Sequence, residues 1–161
     1  MIYKTSLDTR SKIITWGCSI LFGLIIAQQI ISYLSYRKAI SLFVIAFLIV
    51  TYGIIYILSP LFYEVTAERV IVHRIFKNIN IPRDTLVNCA LVDEDKIRGS
   101  IRLFASGGFF GYFGLFSNSI LGKMRWYSRR SRPSVLITTR NGIPILLSPN
   151  KPSEFVEQMA K

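Results

Sequence analysis

The sequence is poor in the residues that metal and nucleophile chemistry needs, with one histidine and two cysteines. A structural zinc site takes four such ligands, and a catalytic triad takes a nucleophile with a paired base. His73 has no second histidine to work with, and it sits beside Arg74 in an alternating stretch that reads as plain strand. Cys18 and Cys89 fall in halves of different texture, so no disulfide framework is expected. Each reads as a small buried hydrophobe. Acids are scarce as well, nine against 20 Lys and Arg. Asp93, Glu94 and Asp95 are consecutive, but Arg98 stands at the sixth position from Asp93, where an EF-hand turn needs glycine, so they do not read as a metal site. No catalytic, cofactor-binding or metal-binding residue is assigned, and the chain reads as non-enzymatic.

Charge is missing over two long stretches, Ile13 to Tyr36 and Ala39 to Tyr63. As helices they would span about 36 Å and, up to Ser59, about 31 Å, at about 1.5 Å per residue. Both lengths match a hydrocarbon core of about 30 Å. Neither block carries the polar stripe of a soluble amphipathic helix. Only Arg37 and Lys38 separate them, which predicts a tight transmembrane hairpin over 13–60, after a tail at 1–12 and before a domain at 61–161. The first block is too long for a signal peptide and no A-x-A site follows it, so it is expected to be retained. Tyr33, Tyr36, Tyr52, Tyr56 and Tyr63 lie toward the block ends, where aromatic belts form. Gln28 and Gln29 suit a hydrogen bond to the second helix or snorkelling toward the turn. A transport pathway calls for ionisable groups at depth, and the blocks have none. Lys4, Arg10, Lys12, Arg69, Arg74 and Lys77 flank the outer ends against two cations in the turn. That asymmetry predicts both termini in the cytoplasm.

The formal charge is +11. Residues 60–161 hold fifteen Lys or Arg against eight acids, so a basic domain beside a bilayer points to an anionic partner. After Pro60 the texture turns to short alternating runs. "FYEVTAERVIVHRI" predicts two strands joined at Ala67 to Arg69, and "NINIPRDTLVNCALV" one or two more, broken near Pro82. "MRWYSRRSRPSVLITTRNGIPILLSP" holds two or three, with Val135, Ile137 and Thr139 on one face. Asn141-Gly142 signals a hairpin, and Pro144 predicts an edge or bulged strand after it. "NKPSEFVEQMAK" closes with a helix whose apolar face is Phe155, Val156, Met159 and Ala160. Short strands and one terminal helix predict a membrane-anchored α+β chain whose domain is a small β-barrel or orthogonal sandwich capped by that helix.

The order "YEVT" (63–66), "VIVHR" (70–74), "INIPRD" (79–84), "GGFFGYFGLF" (107–116), "VLITT" (135–139) and "ILLSP" (145–149), then Phe155 on a closing helix, resembles the bacterial pleckstrin-homology-like (PH-like) domains. One departure is Lys151 where a helix-capping residue is expected, with Asn150 or Ser153 as substitutes. The resemblance implies a partly open β-barrel closed by the terminal helix, and a binding or scaffolding module. It names no ligand: eukaryotic namesakes bind phosphoinositides or proteins, and none of their contact residues transfers here.

Two stretches carry the candidate site. Gly107, Gly108, Phe109, Phe110, Gly111, Tyr112, Phe113, Gly114 and Phe116 match neither a Walker loop nor a dinucleotide fingerprint in spacing. They read as a fold element, favoured by the resemblance, or as an apolar contact for membrane or partner. Lys123, Arg125, Trp126, Tyr127, Arg129, Arg130 and Arg132 form a basic run in which Lys123, Arg125, Tyr127 and Arg129 share a face if it is a strand. Such a face suits anionic lipid headgroups or an acidic protein surface, with an ordinary solvated face as the plain reading. Single-stranded nucleic acid uses the same chemistry and ranks below these. The expected function is a membrane-anchored module, in a bacterial inner membrane, that binds a protein or anionic lipid at the membrane surface. The alternatives are an assembly subunit of a larger membrane complex or, further down, a transporter or intramembrane enzyme subunit.

Overall fold

The computed structural model describes residues 1–140 and 142–160. Two long helices come early, α1 (Thr9–Tyr36) and α2 (Ala39–Leu58), and both are long and apolar enough to cross a membrane. Asp8 caps α1 by accepting the Ser11 N–H at 2.8 Å. The reversal between the helices uses two residues. Arg37 takes the left-handed conformation (φ 51°) and donates its N–H to the Tyr33 carbonyl at 2.8 Å; Lys38 is extended and α2 begins. The apolar side chains of both helices point outward along most of their length: Trp16, Leu24, Ile31, Phe43 and Phe47 are all exposed. Gln28 is exposed and Gln29 half-buried.

The first surprise precedes α1. Residues 1–12 were expected as a tail, but Ile2–Lys4 form a strand, β1, antiparallel to β2 (Phe62–Val65) with Tyr3 opposite Tyr63. The helical hairpin is therefore the connection between two adjacent paired strands. β3 (Arg69–His73) and β4 (Ile79–Pro82) complete a four-stranded sheet in the order β1-β2-β3-β4. The chain then builds β5 (Leu86–Leu91), the one-turn helix α3 (Glu94–Ile97), β6 (Ile101–Gly108), β7 (Gly111–Asn118), β8 (Gly122–Ser128), β9 (Val135–Thr139), β10 (Ile145–Leu147) and the helix α4 (Pro152–Ala160). Six of these strands form a second sheet in the order β5-β9-β10-β8-β7-β6.

Alternation along these strands separates two cores. Tyr63, Val70 and Val72 of one sheet meet Phe113, Tyr127, Ile137 and Leu147 of the other, and Phe155 and Met159 of α4 complete this cluster. The opposite face of the larger sheet buries Phe116, Met124, Trp126 and Leu146 under Ile97 of α3. Two sheets facing one core, with a terminal helix against it, is the architecture the short strands and closing helix predict.

Three local expectations are corrected. Pro144 does not mark an edge: β10 is internal, parallel to β8 and antiparallel to β9, and Pro144 only precedes its first residue while its carbonyl accepts the Arg125 N–H. The β9–β10 hairpin forms, although Asn141 itself lies outside the described residues. Ala160 is exposed, so the buried face of α4 is Phe155 and Met159 with Val156 partly covered. Asn150 does not cap α4; its Oδ1 accepts from Arg130 and Ser6, and its N–H reaches the Lys4 carbonyl.

A buried hydroxyl cluster joins the strand ends. Tyr63 is fully buried, and its hydroxyl donates to the Tyr127 carbonyl at 2.6 Å while accepting the Ser148 N–H at 3.1 Å. Ser148 Oγ accepts the Arg129 N–H at 3.0 Å, and its carbonyl accepts from Thr5 Oγ1 at 2.7 Å. Burial pushes the Tyr63 phenol above its ordinary pKa, which keeps the donor in place. The cluster thus ties the segment leading into α1, at Thr5, to the strand leaving α2, at Tyr63.

Candidate functional site

The glycine–aromatic stretch is a β-hairpin. Gly108 pairs with Gly111, and Phe109-Phe110 form the apex, with Phe110 at φ 57°. The apex lies against the helical hairpin. The Phe109 ring centroid is 5.9 Å from Phe22 and 5.3 Å from Tyr52; Phe110 is 5.2 Å from Tyr52 and 5.1 Å from Tyr56. These edge-on contacts are the favourable aromatic geometry. Thr15 Oγ1 accepts the Phe110 N–H at 3.0 Å and donates to the Gly108 carbonyl at 3.3 Å. Ile14 fills the space that a Cβ at Gly108 would need. Behind the apex, Phe113 enters the core between the sheets, and Phe116 stacks on Trp126 in the second core, which Tyr112 partly covers. Gly107 lies under the Arg102 side chain, and Gly111 against the backbone at Ser128 and Arg129. The stretch brings the larger sheet onto both helices, through interior packing at one end and the apex at the other.

The basic run does not form one surface. Lys123 and Arg125 are exposed on the same face of β8 as Tyr127, but Tyr127 points into the core. Trp126 is on the other face and buried. The strand ends at Ser128, so Arg129 leaves the expected face; it is half-buried, and burial lowers its guanidinium pKa. Arg130 bonds Ser6 Oγ at 3.0 Å and Asn150 Oδ1 at 2.8 Å. Arg132 makes a two-pronged bond to Glu94 at 2.8 and 3.1 Å. Three of the five arginines and lysines thus engage the fold, which leaves Lys123 and Arg125 free of side-chain ion pairs among the described residues.

Sequence reasoning missed a junction at the foot of α1. Asp8 Oδ2 accepts from the Ser131 hydroxyl at 2.6 Å and its N–H at 2.8 Å, while Oδ1 caps α1. One carboxylate therefore fixes the helix start to the turn after β8. Partial burial alone would raise its pKa, but the Ser131 and Ser11 bonds outweigh that and hold it below the ordinary carboxylate value. A depressed folded pKa contributes stability above the unfolded value, about 4, that is lost as pH falls through the lower folded one. Asp8→Asn is therefore expected to lower the thermal midpoint near neutral pH, by the equivalent of about 1 kcal/mol for a cap-sized loss. The gap to the parent protein closes below about pH 4. Thermal unfolding of the detergent-solubilised protein across that range checks this, and a gap that stays constant with pH refutes it.

Beside this junction lies a cavity of about 460 Å³ bounded by Arg10, Glu94, Asp95, Arg98, Trp126 and Arg132. Its residues are far apart in sequence: Trp126 and Arg132 come from the basic run and Glu94 and Asp95 from the acidic triplet, and nothing in the sequence joins those two runs to each other or to Arg10. The remaining expectations concern single residues. His73 bonds Glu64 at 2.8 Å and stacks on Phe62, which is a strand-pair role. Cys18 and Cys89 are both free, and burial pushes the Cys89 thiol up to about 11, away from reactive thiolate. Asp93 caps α3, and no His, Cys, Asp and Glu cluster suited to a metal occurs among the described residues.

Comparison with known proteins agrees with this geometry. No curated protein and no solved structure matches the chain significantly. The model of a family described as the bacterial PH domain matches residues 61–161, the span that holds both sheets apart from β1 and the closing helix. PH-like domains are generally non-catalytic binding modules. With well over half its length in that match, the chain belongs to the bacterial PH domain family.

Proposed function

We propose that this protein is a non-enzymatic, membrane-anchored PH-like module. α1 and α2 span the bilayer, and the β domain works at its surface. The observation that carries this reading is the outward apolar surface of the hairpin, on which Trp16 is 70% exposed and Phe47 60%. A soluble protein rarely leaves so large a contiguous apolar patch uncovered. Trp16 to Tyr36 measures about 30 Å along a helix, the thickness of the hydrocarbon core. The domain consists of residues 61–161 together with β1, and residues 9–58 are inserted between β1 and β2. Because β1 pairs with β2, both feet of the hairpin share one side of the membrane. Six cations near the feet against two at the turn support a cytoplasmic side for the feet, in a bacterial inner membrane.

At the surface the domain binds anionic lipid or a protein. Lys123 and Arg125, with Arg74 and Lys77 near the α2 foot, supply the charge for lipid; the Phe76 N–H reaches the Ile57 carbonyl at 3.3 Å and fixes that loop at the foot. A protein partner is favoured by the edge strand β6, where Phe104 is 87% and Ile101 63% exposed, because exposed apolar edges accept an added strand.

Membranes from cells making the full chain decide the anchor. After an alkaline carbonate wash the chain stays in the pellet and needs detergent for release; recovery in the supernatant overturns the proposal. For orientation, a cysteine at Arg37 in a Cys18→Ser, Cys89→Ser background is labelled by impermeant maleimide from outside. A cysteine at Lys123 is labelled only after permeabilisation. The reverse pattern would put the domain on the outer side.

A further inference from the structure

We propose that the cavity at the foot of α1 holds the headgroup of an amine-bearing phospholipid, with its phosphate between Arg10 and Arg98 and its ammonium on Asp95. This rests on reading α1 and α2 as bilayer spans. Arg10 lies three residues before the uncharged run that begins at Ile13, about 4.5 Å along the helix. The headgroup layer is about 5–7 Å deep on each side. The cavity therefore opens at headgroup depth, and its 460 Å³ suits a small polar ligand.

Its chemistry is mixed in sign. Arg132 and Glu94 neutralise each other at 2.8 Å. Arg10, Arg98 and Asp95 make no ion pair among the described residues. Two free guanidiniums suit a phosphate, which they recognise through paired N–H donors. The free carboxylate repels a second negative charge and attracts a cation. A headgroup carrying both a phosphate and a primary ammonium satisfies all three side chains. A glycerol headgroup leaves Asp95 without a cation, and a choline has no N–H to donate to it.

Trp126 forms part of the cavity wall and so reports on what occupies it. It is only 4% exposed and lines the cavity, and its indole nitrogen is buried with no acceptor in the protein. Buried donors are rarely left unpaired, because the lost hydration is not replaced.

The chain has two tryptophans, so Trp16→Phe leaves Trp126 as sole reporter in the detergent-solubilised full chain. The probes are dihexanoyl phosphatidylethanolamine, phosphatidylglycerol, phosphatidylcholine and inorganic phosphate. Ethanolamine lipid is expected to change Trp126 emission saturably, at about tenfold lower concentration than the other two lipids, the scale of one charge-assisted hydrogen bond. Asp95→Asn erases that preference and leaves phosphatidylglycerol binding intact or tighter. Arg98→Gln weakens every phospholipid about tenfold. Equal response to the three lipids, or inorganic phosphate matching the ethanolamine lipid, overturns the proposal without reference to any variant. Unchanged affinities in both variants do so too. A carbonate-soluble chain sinks the anchor reading instead, while the lipid series still decides the cavity.

Discussion

Phe155→Ala is expected to lower the thermal midpoint of the solubilised protein by about 12 °C or more. The side chain is fully buried where three elements meet. Its ring is edge-on to Tyr3 of β1 at 5.0 Å and to Tyr63 of β2 at 6.3 Å. Truncating a buried phenylalanine costs about 3–5 kcal/mol, and each kcal/mol shifts a domain of this size by about 4–8 °C. The cost falls at the high end because α4 has nine residues, too few to hold helical form without packing. Phe155→Leu refills much of the volume and should lose about 1.5 kcal/mol or less. If Phe155→Ala shifts the midpoint no further than the exposed Ser153→Ala, the account of α4 as the cover of the main core is wrong.

The second large effect concerns two glycines with positive φ in very different surroundings. Gly114 has φ 117°, and a Cβ there meets the Phe104 carbonyl and comes within 2.7 Å of Ala105 Cα. Both neighbours are backbone, held by the β6–β7 ladder beside its irregularity at Arg102 and Phe104. Gly122 has φ 64° and open space around it. Gly114→Ala therefore combines an unfavourable backbone conformation with a clash that nothing flexible can relieve, for a loss of about 4 kcal/mol. Gly122→Ala carries only the left-handed penalty, about 1 kcal/mol. Parallel unfolding curves test the difference, and equal losses at the two sites refute the steric argument.

Much of this fold was legible because it is local. The uncharged blocks, the strand pairs at 62–73 and 135–147 and the terminal helix each follow from residues close in sequence. β1 was not legible: three residues carry no alternation pattern, and their partner lies some sixty positions away across the hairpin. Pro144 misled for a related reason. Its missing donor matters only inside a strand, and the parallel pairing that makes β10 internal joins segments separated by a loop and a hairpin. In the basic run, alternation correctly put Lys123, Arg125 and Tyr127 together, but it could not tell which face was covered by the other sheet. It also could not show that the strand stops before Arg129. The apex of the glycine–aromatic hairpin is a further case, because aromatic content marks packing without naming the surface packed against. The cavity by Arg10 draws on four separate segments, and no spacing rule connects them.

The β1–β2 pairing also bears on truncated fragments and on how cells handle the protein. A fragment beginning at residue 61 keeps the whole family match yet loses the strand that covers β2, together with the Tyr3 contact to Phe155. During synthesis β1 leaves the ribosome before both helices and must wait, unpaired, until β2 has emerged. If the helices span the bilayer as proposed, the sheet closes only around an inserted hairpin, and a chain in which the two strands fail to meet keeps an unfinished edge that quality-control proteases can recognise.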